Sequence, residues 1–301
     1  MQPDFFAPDR APLMVAYGMG VDSTALLVGL RDRGVRPDAI LFADTGGEKK
    51  ETYAFEAPMQ DWLRREGWPA IVTVRYVATN FKNWPPYYTL EDNCLTNGTL
   101  PGISFGPASC SVKWKQAPQH KWTQAWQPAR DAWSANVKVT KLIGFDASPA
   151  DRRRTYVPED DQRYTYEYPL QAWGWDRAEC QRQIAAAGLP VPPKSSCFFC
   201  CAMKPHEVRA LSPDEHRRIV VMEARAKPRL TSCEGLWRST VKGTRGGTPR
   251  PGSMTQFIAD ERLLPPDEVA ELQARTPGEI ITFQQAFAEG RTTTTPDYRH
   301  A

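Results

Sequence analysis

The chain has 301 residues, 41% of them hydrophobic and 24% charged, enough for one large α/β core with an appendage. A formal charge of +3 excludes strong overall steering toward nucleic acid. No apolar run nears the roughly 20 residues that cross a bilayer, so no membrane association is expected.

Residues 12–17 form a short apolar run ending in glycines, the pattern of a buried strand feeding a tight turn. Residues 22–33 follow as a helix closed by Gly34, and residues 38–44 as a second strand. Strand, glycine turn, helix and strand make a βαβ unit, which implies a covered parallel sheet. The predicted fold class is therefore α/β, a Rossmann-like parallel twisted sheet with helices on both faces. Further on, residues 52–67 are predicted as a helix and residues 71–77 as a strand. Between residues 80 and 118 the periodicity fails, and a loop of that length in a compact domain is usually functional or disordered. Residues 137–145 read as another strand, 176–187 as a helix, 188–201 as a loop and 206–226 as a helix. The stretch closing on Thr292-Thr-Thr-Thr-Pro296 is expected to be a tail. The expected division is an α/β nucleotide-binding domain over 1–190 and a Cys-x-x-Cys segment with a mainly helical C-terminal region over 191–301. The latter includes a basic loop between Lys227 and Arg250, where six Lys or Arg stand against the single acid Glu234.

The turn Tyr17-Gly18-Met19-Gly20-Val21-Asp22-Ser23-Thr24 lies between a strand and a helix, where backbone amides and the helix dipole attract an anion. Gly18 and Gly20 would let the backbone approach phosphate oxygens, and Ser23 and Thr24 would add hydroxyl donors. The spacing is neither a Walker A loop nor a dinucleotide fingerprint. Taken alone, these residues also fit an ordinary strand-to-helix turn. Asp44-Thr45-Gly-Gly ends the second strand, where ligands of parallel sheets collect, and Asp44 there suits Mg²⁺ or a nucleotide hydroxyl.

Seven cysteines, gathered mainly in the middle third, read as metal ligands or reactive thiols rather than a disulfide framework. The first residues lack the basic start and apolar stretch of a secretory signal, so a reducing cytoplasmic location is expected. Cys197-Phe-Phe-Cys200 has the spacing that brings two thiolates to one metal or cluster. Cys180 is expected in a helix as a small core residue, and most of the tryptophans as packing groups.

Four separated elements, in order, resemble the PAPS-reductase-like branch of the PP-loop ATP pyrophosphatases, of phage and bacterial type: residues 17–24, 42–51, 110–118 and 194–205. The first is similar to the motif Ser-Gly-Gly-x-Asp-Ser, with Gly20, Asp22 and Ser23 matching, Gly18 in place of its serine and Met19 in place of its first glycine. The resemblance implies that Tyr17, Gly18, Met19, Gly20, Asp22, Ser23, Thr24, Asp44, Thr45, Asp146 and Arg153 hold ATP with Mg²⁺, and that Asp22, Ser23, Lys113 and Arg152 serve the chemistry. It also implies a 4Fe–4S cluster on Cys94, Cys110, Cys197 and Cys200. Cys94 is favoured over Cys201 and Cys233 because it shares an irregular loop with Cys110. Zinc on the same four residues, or unmetallated thiols, remain the alternatives. The Glu-Cys-Gly-x-His-like element of sulfonucleotide reductases is not found, which speaks against reduction of PAPS itself.

The expected function is cleavage of ATP at the α-phosphate with pyrophosphate release, serving iron–sulfur-assisted sulfur transfer to a nucleobase or nucleic acid. An electron or sulfur donor protein would be a further partner. The alternatives are a sulfonucleotide reductase and a non-catalytic nucleotide-binding protein with structural zinc.

Overall fold

The computed structural model describes residues 10–81, 83–102, 109–155, 161–244 and 246–280, and the threonine-rich stretch expected as a tail lies outside them. In chain order the elements begin with β1 (Leu13–Tyr17), α1 (Val21–Asp32), β2 (Ala39–Asp44), α2 (Lys50–Ala54), α3 (Glu56–Arg65) and β3 (Ile71–Arg75). They continue with α4 (Leu90–Asn97), α5 (Ser109–Ser111), a π-helical turn (Val112–Gln116), α6 (Ala117–Ala125), α7 (Gln127–Ser134), β4 (Val139–Ile143), α8 (Pro149–Arg152) and β5 (Tyr164–Glu167). The remainder is α9 (Pro169–Ala172), α10 (Arg177–Ala186), α11 (Pro205–Arg209), α12 (Pro213–Ala226), a 3₁₀ turn (Lys227–Arg229), α13 (Met254–Asp260) and α14 (Pro266–Ala274).

The chain divides into two compact units. One draws on Met1–Asp44, Glu48–Tyr76 and Lys113–Ser196, the other on Thr45–Gly47, Val77–Val112 and Cys197–Ala301. Residues 77–112 thus group with the C-terminal region.

The first unit is an α/β Rossmann-like layer structure. Its five strands run parallel in the order β3-β2-β1-β4-β5, with Val15 of β1 beside Ile40 of β2 and Leu142 of β4. Alternation along β1 sends Val15 and Tyr17 to one face and Met14 to the other. The first face is covered by Leu26 and Leu27 of α1, Met59 and Trp62 of α3, Leu170 of α9 and Cys180 and Ile184 of α10. Against the second face pack Ala129 of α7 and Trp122, Trp126 and Trp133. Cys180 is fully buried, so it and these tryptophans are packing residues. Central strands buried on both faces read as unbroken apolar runs, as β2 does in Ala-Ile-Leu-Phe-Ala. β1 leads to β2 and β3 on one side, and the chain returns through β4 and β5 on the other. The strand order therefore reverses between β1 and β4, the place where such sheets bind ligands.

The second unit centres on α12, which packs against α4, α13 and α14. Inside it the buried Glu223 accepts the amides of Leu236, Met254 and Thr255 and the hydroxyl of Ser253. That one carboxylate ties Leu236, inside the basic loop, to Ser253–Thr255 just beyond it, and Arg250 of the loop stacks on Trp237. None of the described helices is long and apolar enough to cross a membrane.

Several helices depart from the periodicity. Residues 52–67 divide into α2 and α3, because Pro58 lacks the amide that would bond Ala54 and crowds its carbonyl. Residues 206–226 divide at Ser212, whose hydroxyl accepts the Glu215 amide while the Glu215 carboxylate accepts the Ser212 amide, a reciprocal cap that starts α12 afresh. The aperiodic stretch contains α4, started by Thr89 over the Asp92 amide and closed by Gly98 at φ 58°.

Candidate functional site

Two regions carry chemistry. The first lies at the C-terminal ends of β1 and β4. β1 runs into Gly18-Met19-Gly20, and α1 begins at Val21, so its first amides point back over the loop. The loop braces itself. Ser23 Oγ accepts the Gly18 amide at 3.1 Å and donates to the Gly20 carbonyl at 3.2 Å, and the hydroxyls of Tyr17 and Thr24 pair at 3.1 Å. Burial pushes the Tyr17 hydroxyl far above the usual phenol range, so it stays protonated.

Met19 has φ 54°, in the left-handed region that favours glycine, at the position where the motif it resembles carries one. Its side chain is fully buried in the core under α1. The turn thus keeps a glycine's backbone conformation while burying a methionine.

Gly144, just after β4, has no room for a side chain. A Cβ there would lie 2.8 Å from both Cα and N of Ser23. This close approach brings the β4 exit onto the first turn of α1 and sets Asp146 and Asp151 beside Asp22, with one oxygen of each within 4.8 Å of the others. Asp151 caps the Asp146 amide and pairs with Arg154 at 2.8 Å, Asp146 accepts the Ser148 amide, and Asp22 pairs with Arg177 at 2.9 Å. Burial raises the Asp22 carboxyl to about 6; Arg177 pulls it down, and Asp146 and Asp151 push it up again. Three hard oxygen donors with two arginines at their edge form a donor set suited to Mg²⁺ rather than to a thiophilic metal.

Ser195 completes this region. Its hydroxyl lies 2.5 Å from where a Cβ of Gly20 would stand and 3.8 Å from the corresponding point at Gly18. A hydroxyl from a distant part of the chain is therefore set against the backbone of the glycine turn.

Other expected site residues of this unit point elsewhere. Asp44 is buried at the end of β2 and accepts the Tyr53 hydroxyl at 2.8 Å and Arg75 at 2.6 Å. Lys113 lies over the Tyr76 ring, whereas Lys115 pairs with the buried Glu48 at 3.2 Å. Arg152 donates to the Ala147 carbonyl at 3.0 Å, and Arg153 is exposed. Arg154, through Asp151 and by stacking on Phe145, is the arginine of that triplet tied to the acidic cluster.

The second region is built of cysteines. No disulfide forms among the described residues. Cys197 Sγ lies 3.1 Å from Thr45 Oγ1, which also accepts the Gly47 amide. The Cys201 thiol is hydrogen-bonded to Cys200 and close enough to Cys110 to feel its charge; these thiols and burial drive it far above the usual thiol range. Phe199 packs where a Cβ of Gly47 would stand, which locks the Cys-x-x-Cys turn against the loop after β2. Cys94 is buried on α4, and Cys233 is half-buried. The thiols brought together are thus Cys110, Cys200 and Cys201, and sulfur donors of this kind suit iron–sulfur clusters or zinc.

Asp151, Arg177 and Ser195 are not among the site residues expected from the sequence, and Cys201 stands there only as an alternative to Cys94. The Ser148-x-x-Asp151 cap is the sequence signal for the first. Ser195 and Arg177 reach the loop only through the fold. No protein-family model and no curated protein matches this chain.

Proposed function

We propose that the chain is a PP-loop ATP pyrophosphatase of the PAPS-reductase-like type. The observation that carries this reading is the convergence of the Gly18–Thr24 turn with Asp22, Asp146 and Asp151 at the point where the strand order reverses. The amides at the start of α1, with Gly18 and Gly20 leaving the backbone bare, would hold the pyrophosphate end of ATP. The three carboxylates would hold Mg²⁺, which neutralises phosphate charge when bound. Arg177 pairs with Asp22 and Arg154 with Asp151 at the edge of this set, and Ser195 would donate to a phosphate oxygen over Gly20. An acceptor oxygen then attacks the α-phosphorus, the bond to the β-phosphate oxygen breaks, and pyrophosphate leaves with the negative charge.

Cys110, Cys197 and Cys200, with Cys94 or Cys201 as fourth ligand, would hold a 4Fe–4S cluster that supplies or retains sulfur for the activated acceptor. The acceptor class that fits is a nucleobase or nucleic acid. A cytoplasmic setting would keep these thiols reduced.

The test follows α-labelled ATP with Mg²⁺ and nucleic acid. Label in AMP or an adenylated acceptor, with stoichiometric pyrophosphate, is expected. Label in ADP, or no turnover and no ATP binding, overturns the assignment.

A further inference from the structure

We propose that the loop 77–88 and the arginines at the end of α12 form a binding surface for single-stranded nucleic acid.

The loop carries an unusual display of aromatic surface. Trp84 is 73% exposed, Tyr88 68% and Phe81 38%. Most other tryptophans of the chain are packed against a core. Phe81 touches Tyr87 and Tyr88, at ring separations of 5.1 and 6.1 Å, so the loop is held by its own rings rather than splayed. Exposed tryptophan lowers solubility without contributing to folding, and a function that needs a bare ring accounts for it.

Cations are tied to the loop through the end of α4. Asn83 of the loop donates to the Asn97 side chain at 2.7 Å, and the Asn97 carbonyl accepts Arg229 at 2.7 Å. Arg225 donates to the Leu95 and Thr96 carbonyls. Capping the last turn of α4 explains the position of the two guanidiniums. It does not explain why they stand so close that Arg229 weighs on Arg225, with neither in an ion pair among the described residues. The sequence deepens this imbalance. Residues 77–97 and 225–232 contain Lys82, Arg225, Lys227 and Arg229 against two acids, Glu91, which pairs with Arg218, and Asp92.

Flat exposed rings on the same unit as arginines outside any ion pair among the described residues match a chain of stacked bases on a phosphate backbone, and they match it only when the bases are unpaired, because a duplex hides their faces. A protein partner would call for acidic groups opposite the arginines but would give Trp84 no planar counterpart. The surface is independent of the ATP site: it would stand if adenylation failed, and adenylation would stand without it.

The experiment titrates the full chain against short fluorescein-labelled oligo(dT) and oligo(U), and against a duplex of the same length, across a salt series. Binding of either single strand, tighter than of duplex, is expected. Trp84→Ala should weaken it by about tenfold, since stacking one base is worth roughly 1–3 kcal/mol, and Trp84→Tyr should restore most of the loss. Arg229→Ala should flatten the salt dependence by about 0.7 in the log–log slope. Thermal melting of each variant confirms that the fold is kept. No binding at low salt, equal binding of duplex, or variants that bind like the parent would overturn the proposal.

Discussion

Asp22 and Cys201 are both pushed toward their protonated forms, for different reasons. Asp22 is pushed up chiefly by burial, and Arg177 offsets that burial so that the carboxyl titrates near 6. Cys201 is pushed up first by the neighbouring Cys200 thiol, with burial and the charge of Cys110 behind it, and no cation opposes the shift. Asp22 thus holds its proton more tightly than a free carboxyl and Cys201 more tightly than a free thiol, so a metal bound by either would have to displace a proton.

The largest effect that would sharpen this contrast is expected at Asp22. Its carboxyl titrates at 3.8 when unperturbed and near 6 when folded, so the folded state holds the proton more tightly. Stability contributed by the protonated form is therefore present below about pH 4 and is lost as the pH rises to about 6. The penalty at pH 7 is on the order of 3 kcal/mol. Asp22→Asn should raise the unfolding midpoint at pH 7, with the gain vanishing near pH 4, while slowing pyrophosphate release by roughly two to three orders of magnitude. Denaturant melts at both pH values check the first half. A variant destabilised at pH 7 would mean that the Arg177 pair, not burial, dominates the site.

The cysteines give the next effect. Anaerobic metal and sulfide analysis should show bound metal lost entirely in Cys197→Ala while ATP affinity stays within about twofold, because thiolate ligands act together. Cys94→Ala is expected to lose metal as well. Retention there, with loss in Cys201→Ala, would transfer the fourth ligand to Cys201. Loss of ATP binding in Cys197→Ala would break the contrast between the two regions.

Gly144→Ala should be felt at the glycine turn. Its Cβ would sit 2.8 Å from the Ser23 backbone, which cannot swing aside. We expect about 1–3 kcal/mol of destabilisation and a loss of ATP affinity of about tenfold, read by calorimetry, since the first turn of α1 must shift.

The region that could be read from the sequence is the one built from neighbours. The β1–α1–β2 unit, the glycine turn and the strands around 71–77 and 137–145 are apolar runs with local punctuation, and the helices and strands lie there. Local rules also held clues that periodicity obscured, such as the Ser212 cap and Pro58. What lay beyond reach was long-range. β5 is a four-residue edge strand with only one buried side chain, too short for a pattern. Residues Val112–Gln116 form a π turn, whose spacing fits neither the helical nor the strand period. Ser195 shows nothing in its own surroundings that points 175 residues back to Gly20, and Cys200 and Cys201 look equivalent until the fold sets one against the other.

Met19 offers the smallest effect and the finest test of the glycine turn. A left-handed methionine costs about 1 kcal/mol in backbone energy, and a fully buried side chain of its size contributes roughly 1.5–3 kcal/mol. The burial outweighs the strain, so Met19→Gly should lower stability by about 1 kcal/mol, with ATP affinity unchanged within about twofold, because the backbone that would meet the phosphates keeps its path. Paired denaturant melts and nucleotide titrations decide it. A glycine variant as stable as the parent would mean that the strain at φ 54° cancels the gain from burial; one that loses ATP would mean that the buried methionine, not the backbone alone, holds the turn in its anion-binding shape.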